Sequence, residues 1–234
     1  MGTRTVLELV QEFCGLRGLP VPSALMGATT AAVVQYRALL NETLREAVAY
    51  PWPAVKVQST FTSVATANQG ELETLFPGFN GFVKDSLWMS PQVIPIRGPL
   101  TDSSWAALTA LGISGPPYSF WLSGGSLYFT PTPAAGTAAT AIYTTDYRYF
   151  NGTTPKRELT EDSDTCIVPD RILLAGLQAF WAKAKGLTGW EKDLTRFESA
   201  VSQELAPSLP SFNLGDSNMK TGPRIFIPPG SWLT

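Results

Sequence analysis

The sequence predicts an α+β protein: an antiparallel four-helix bundle, two helices before and two after, with an inserted antiparallel β domain and an extended C-terminal arm. Three observations predict it. Apolar residues recur at helical spacing near both ends of residues 1–206. The stretch between them breaks into short alternating runs rich in β-branched and aromatic residues. After Pro207 the periodicity stops, yet large apolar residues continue. The chain divides accordingly into residues 1–52 (first helix pair), 53–150 (β insert with one short helix), 151–206 (loop and second helix pair) and 207–234 (arm).

Thr3 or Thr5 caps the first helix, because Thr5-Val6-Leu7-Glu8 is a capping box and Val6, Leu9, Val10, Phe13, Cys14 and Leu16 follow at helical spacing. Gly15 and Gly18 weaken and end it. Leu19-Pro20-Val21-Pro22-Ser23 cannot continue a helix. A second begins at Thr29 or Thr30 and runs to about Ala49, with Val33, Tyr36, Leu40, Leu44 and Ala47 or Val48 on its apolar stripe. The Pro-containing loop makes the two an antiparallel pair.

Tyr50-Pro51-Trp52-Pro53 stops that helix, and strands follow: Val55 to Val64, Phe82 to Met89 and Ile94 to Arg97. A short helix from Ser103 or Ser104 to Leu111 interrupts them. Tyr118 to Leu122 and Leu127 to Thr130 form a hairpin in which Gly124 and Gly125 supply the positive φ of a tight turn, and Trp121 can pair with Tyr128 across it. Ala138 to Tyr147 is the following strand. Asn151 to Asp164 is polar and reads as a mobile loop. Pro169 then suits a first helical turn, followed by Ile172, Leu173, Leu177, Phe180, Trp181 and Ala184 at core spacing and a stop at Lys185-Gly186. A last helix runs from about Thr188 to Leu205, with Trp190, Leu194, Phe197 and Val201 on one face. Four amphipathic helices of this length cover one another as a bundle.

The arm mixes Pro, Gly, Ser and Asn with Leu209, Phe212, Leu214, Met219, Ile225, Phe226, Ile227, Trp232 and Leu233. A tail stays unfolded in solution through low hydrophobicity and high charge, and this one has neither. It is therefore expected to be extended but covered. Phe212, Arg224, Ile225, Phe226, Ile227 and Trp232 are the candidate partner-binding residues, with Arg224 to Ile227, bounded by Pro223 and Pro228, adding as a short strand to a neighbour's sheet edge. Packing along its own subunit is the alternative.

Composition narrows the chemistry. Only 15% of the 234 residues are charged while 44% are apolar, so much of the surface is open to contact with other chains. The net charge of −2 and scattered cations leave no footprint for sequence-specific nucleic-acid binding; Lys183 and Lys185, and Lys156-Arg157, read as solvated charge. Cys14 and Cys166 are far apart and read as small hydrophobes of a reducing compartment. No signal peptide or membrane-spanning run is expected, and the opening Met-Gly lacks the Ser or Thr of a myristoylation motif. There is no histidine, which removes Ser-His-Asp and Cys-His triads together with histidine bases and ligands. The glycines form no phosphate-binding or dinucleotide motif. Glu42, Glu46, Glu71 and Glu73 are the carboxylates that glycoside hydrolysis could recruit, but Glu42 and Glu46 read as one solvated helix face. Glu161-Asp162-Ser163-Asp164 looks like a fragment of a calcium loop without its glycine and bidentate glutamate, and reads instead as a structural acidic turn. No catalytic, cofactor-binding or metal-binding residue is expected.

Three stretches carry a family likeness. The first is Thr5 to Cys14 with Gly18-Leu19-Pro20-Val21-Pro22-Ser23-Ala24 and the long helix ending in Tyr50-Pro51-Trp52. The second is Gly124-Gly125-Ser126-Leu127-Tyr128-Phe129-Thr130-Pro131, and the third runs from Asp162-Ser163-Asp164-Thr165 through Pro169 and Leu173-Leu174-Ala175-Gly176-Leu177 to Trp181 and Lys183-Ala184-Lys185-Gly186-Leu187. In this order they resemble the head-to-tail adaptor (connector) proteins of tailed bacteriophages, particularly those beneath the portal in short-tailed phages. The resemblance implies a non-enzymatic structural subunit of the virion neck, assembled in the host cytoplasm. It implies a ring, typically of twelve copies, between the portal protein and a tail (nozzle or tail-tube) protein, with the bundle toward the portal and the β insert toward the tail. Genomic DNA would pass through without being read, and no membrane or cofactor is involved. The family's tails vary in length and character beyond the position of Pro207. A virion-associated peptidoglycan hydrolase, or another neck or tail accessory protein, is the alternative.

Overall fold

The computed structural model describes residues 2–50, 52–91, 95–112 and 114–206. Local chemistry sets the first element. Thr5 caps helix α1 (Val6–Arg17): its hydroxyl accepts from the Glu8 N–H at 3.3 Å while the Glu8 carboxylate accepts from the Thr5 N–H at 2.9 Å. Gly18, at φ 64°, ends the helix in the left-handed conformation. Val6, Leu9, Val10, Phe13 and Cys14 are buried, but Leu16, expected with them, is exposed; it lies at the edge of the apolar stripe, on the rim of an open hollow beside Leu174 and Ala175.

Helix α2 (Ala31–Val48) buries Val33, Tyr36, Leu40, Leu44 and Ala47 as expected, and Leu39 and Thr43 besides. Thr43 is tolerated there because its hydroxyl donates back to the Leu39 carbonyl at 2.8 Å. After the β region come α5 (Asp170–Ala184) and α6 (Trp190–Leu205). Two short helices lie in the insert, α3 (Leu72–Leu75) and α4 (Asp102–Ala110), so six α-helices occur among the described residues.

Helices α5 and α6 pack as a pair, but α1 and α2 do not form the expected antiparallel pair. Helix α5 is the hub, with α1, α2 and α6 each laid against it. Gly176 permits this: a Cβ there would stand 2.4 Å from the Thr43 methyl and 3.1 Å from the Phe197 ring, so α2 and α6 close on α5 where it has no side chain. Phe13 of α1 packs edge-on against Tyr36 and Trp181, and Phe180 against Phe197. Ala184, expected on the core face, is exposed at the last turn of α5.

The insert holds two sheets. In the first, the long β7 (Ala138–Thr145) pairs with β1 (Lys56–Thr62) on one edge and with β3 (Phe79–Phe82) and β4 (Trp88–Met89) on the other. The single strand expected from Phe82 to Met89 is thus broken. Asp85, at φ 55°, turns the chain out, and the Ser86 hydroxyl holds the excursion by donating to the Val83 and Ile142 carbonyls, both at 2.6 Å. In the second sheet β6 (Ser126–Thr130) lies between β2 (Asn68–Glu71) and β5 (Ser119–Ser123). Gly124 and Gly125, at φ 56° and 76°, make the two-residue turn of the β5–β6 hairpin. Of the expected strand Ile94 to Arg97, Ile94 lies outside the described residues and Arg97 makes an isolated bridge to Ser119.

The polar stretch expected as a mobile loop is built into the fold instead. It holds the end of β8 (Tyr149–Asn151) and all of β9 (Thr154–Lys156), with β10 (Thr165–Cys166) on the other side of β8. Two apolar clusters result. One gathers the four long helices with Trp52, Val55, Tyr149 and Cys166 to Val168; the other gathers Phe61, Phe76, Leu87, Met89, Ile96, Phe120, Leu127, Phe129, Ala139, Ala141 and Tyr143 of the insert.

Candidate functional site

The arm residues proposed from sequence, Phe212, Arg224, Ile225, Phe226, Ile227 and Trp232, lie outside the described residues. Within the described residues the most distinctive surface is on the insert. Thr101 caps α4 by accepting the Ser104 N–H at 3.3 Å. The helix has no fully buried residue and is held to the hairpin through aromatic rings. Trp105 stacks on Trp121, centroids 5.1 Å apart and planes 16° from parallel, and meets Tyr128 edge-on at 5.9 Å. Trp121 and Tyr128 are directly opposite in the β5–β6 register, as the sequence predicts, with rings 5.3 Å apart. The Trp121 indole N–H donates to the Asp102 carboxylate at 2.9 Å, tying the first turn of α4 to the sheet.

The outer side of α4 is apolar and open: Ala106, Ala107 and Ala110 are exposed and Leu111 is 69% exposed. It is also uncharged, since no Asp, Glu, Lys or Arg occurs anywhere in residues 103–145. That run was a readable signal which strand and helix patterning overlooks.

The opposite face of the same hairpin packs into the core of the insert, and a cleft opens at its margin. Successive strand residues point to opposite sides, so Phe120 and Leu122 face away from Trp121. With Phe82, Leu87, Ile96 and Pro99 they line a hollow of about 350 Å³, Lys84 and Asp85 standing at its edge. A third open feature, of about 530 Å³, lies between α2 and α5, where Leu39, Phe180 and Trp181 form an apolar floor beside Gln35, Glu42 and Lys183.

The acidic turn is structural, as its residues imply. One Asp162 carboxylate oxygen accepts the Leu25 and Met26 N–H groups at 2.9 and 2.8 Å, fixing the α1–α2 loop. Asp164 is completely buried and accepts from the Thr160 and Glu161 N–H groups, both at 3.0 Å, and from the Lys156 ammonium at 2.9 Å. Burial alone would raise its pKa; the two N–H donors and the ammonium outweigh burial and hold it below the usual aspartate range. Lys156, read from sequence as solvated, is therefore an anchor, and Arg157 bridges Glu73 at 2.6 Å and Asp146 at 2.7 Å. Among the described residues no group of His, Cys, Asp and Glu is placed to hold a metal ion.

The carboxylates considered for hydrolysis are not set as an acid and base pair. Glu42, Glu46, Glu71 and Glu73 are all exposed, and Glu42 pairs with Arg45 at 2.9 Å. The Gly78 N–H, and then Arg157, lower the Glu73 pKa, the opposite of what a general acid needs. Cys14 and Cys166 are free and buried, and burial pushes both thiols up, away from the reactive thiolate. No helix among the described residues is long and apolar enough to cross a membrane.

The fold presents two packed apolar clusters with an open apolar helix face and open hollows at the surface. The family model of the SU10 adaptor proteins matches residues 5–217, from the capping threonine of α1 past the end of α6. The chain belongs to that family of phage adaptors, which are structural components of the virion neck. Among curated proteins none matches the chain.

Proposed function

We propose that the chain is a head-to-tail adaptor of the short-tailed type, a structural subunit that assembles as a ring, of twelve copies, beneath the portal protein and joins it to the tail. The observation that carries this reading is the family match across residues 5–217, which takes in the four long helices and the whole insert. The helices face the portal, the insert faces the nozzle or tail-tube protein, and DNA passes through the ring without being read. The mildly acidic net charge of −2 suits a channel wall that does not hold phosphate. Residues 208–234 are the arm that grips neighbouring chains, with Phe212, Arg224 to Ile227 and Trp232 as its anchors.

Mixing the purified subunit with its portal and imaging the product by cryo-electron microscopy tests this. The expected result is a twelve-fold ring on the portal, and a subunit that never binds the portal refutes the reading. Deleting residues 208–234 is expected to leave a folded monomer that fails to assemble; normal assembly of the truncated chain removes the arm from the account. Peptidoglycan incubated with the subunit is expected to stay intact. Cleavage that Glu42→Gln or Glu46→Gln abolishes would replace the adaptor reading with the hydrolase one.

A further inference from the structure

We infer that the hollow between α2 and the segments flanking β8 and β9 is a docking site for an acidic segment of a partner protein, one that sets carboxylates beside an apolar side chain. The site depends on neither the ring nor the arm. Arg37, Asn41 and Arg45 are spaced four apart and so share one face of α2. Arg148, just before β8, and Arg157, Glu158 and Leu159, just after β9, close the other side. Met26 of the α1–α2 loop completes the wall, fixed by its N–H bond to Asp162 at 2.8 Å. The space enclosed is about 560 Å³ and open to solvent. Its cations come from residues more than a hundred positions apart, so only folding brings them together.

The hollow is rich in donors and poor in acceptors. Each guanidinium carries five N–H donors and no acceptor, and four arginines line the hollow against the single carboxylate of Glu158. Arg157 is tied to Glu73 and Asp146, and Arg45 to Glu42 in an exposed pair that a partner can displace. Arg37 reaches only the Ala28 carbonyl, at 3.4 Å, and among the described residues neither Arg37 nor Arg148 is in an ion pair. The Tyr149 hydroxyl donates to Asn41 Oδ1 at 2.6 Å, which leaves the Asn41 amide N–H groups as further donors.

The occupant that matches is anionic, and the remaining lining selects its class. Arginine binds carboxylates and phosphates through paired N–H donors. A nucleic-acid backbone is held by cations that track along successive phosphates. Here the arginines are confined to one hollow, with Glu158 among them and Glu42, Glu73 and Asp146 standing on Arg45 and Arg157. Continuous phosphate would meet those carboxylates, whereas the discrete side chains of a peptide can avoid them. Val34, 47% exposed, and the half-buried Met26 and Leu159 supply an apolar wall that a peptide side chain can cover and a phosphate cannot use.

The experiment follows the full chain, labelled with carbon-13 at its methionine methyl groups, by NMR during titration with synthetic peptides that place two glutamates two, three or four residues apart around a leucine. The expected result is movement of the Met26 signal while that of Met89, buried in the insert, stays fixed. Binding is expected to weaken with salt and to vanish when glutamine replaces glutamate in the peptide. Arg148→Gln should weaken it by about tenfold or more and Arg45→Gln by about threefold. Should Arg148→Gln lose its native circular dichroism spectrum, Arg45→Gln, whose side chain is exposed, decides alone. No response of Met26 to any of these peptides up to about 1 mM, equal binding of the glutamine peptides, or binding that the folded variants leave unchanged overturns the site. A short duplex DNA that moves Met26 as strongly as the best peptide, and loses that effect in the variants, replaces the acidic peptide with a phosphate backbone. Displacement of the peptide by an equal concentration of inorganic phosphate reduces the hollow to a small-anion site and overturns peptide docking.

Discussion

The helical part and the insert solve the problem of cohesion with different side chains. The helical cluster is mostly aliphatic, and its distant segments are clasped by buried or half-buried carboxylates that accept backbone N–H groups. Asp162 reaches back to Leu25 and Met26, and the Thr5 cap region bridges to Thr165. Among the described residues of the insert no buried carboxylate makes such a clasp. Its cluster is aromatic, arranged around the fully buried Phe76, whose ring lies 5.1–5.9 Å from those of Phe61, Phe79, Phe82 and Tyr143. The difference teaches that helices drawn from both ends of a chain need directional ties across the insertion, because their apolar stripes alone do not specify which of them meet. A sheet module whose register is already set by pairing can rely on non-directional packing.

The sharpest way to break the comparison is at the aromatic hub. Phe76→Ala is expected to cost about 3–5 kcal/mol, the range for truncating a buried phenylalanine. Urea unfolding followed by far-ultraviolet circular dichroism should then show an early transition for the insert with most of the helical signal retained. A single transition carrying all the signal would mean that the two clusters are one cooperative unit.

The clasp is the next test. Asp164→Ala leaves the Thr160 and Glu161 N–H groups and the Lys156 ammonium without their acceptor, a loss of about 1–3 kcal/mol. The pKa of Asp164 is lower in the folded chain than in the unfolded one, so its stabilising contribution is complete above the ordinary aspartate value of about 4. The contribution falls away as the pH drops through the depressed folded value. Urea midpoints of wild type and variant should therefore differ most at neutral pH and converge in acid.

The smallest effect is expected where the two parts are tied by exposed charge. Arg157 bridges Glu73 of α3 and Asp146 after β7, but all three side chains are a third or more exposed. Arg157→Ala should cost no more than about 1 kcal/mol. That shift should shrink in high salt, as screened surface pairs do.

Legibility followed the range of the interactions. The α1 cap is a contact between residues three apart, and the Gly124-Gly125 turn is two residues long, so both were readable at once. Strands β2, β8 and β9 were not, because Asn68–Glu71, Tyr149–Asn151 and Thr154–Lys156 carry Asn, Gly, Pro and Lys, and become strands only through partners elsewhere. The division of Phe82 to Met89 was equally hidden, since it depends on Ser86 reaching Ile142. At the α4 surface the Trp121–Tyr128 pair was foreseen but Trp105, which fastens α4 to it, was not. The arm was singled out from sequence and lies outside the described residues.

By itself the sequence determined roughly where the four long helices and α4 begin and end, that a glycine hairpin sits mid-chain, and that residues 103–145 carry no charge. These are properties of neighbouring residues. Only the tertiary structure decided that α5 would be the hub, through the missing side chain of Gly176 against Thr43, and that Trp105 would fasten α4 to the β5–β6 hairpin. Close approach and facing direction depend on residues far apart in the chain, whose distances exist only after folding.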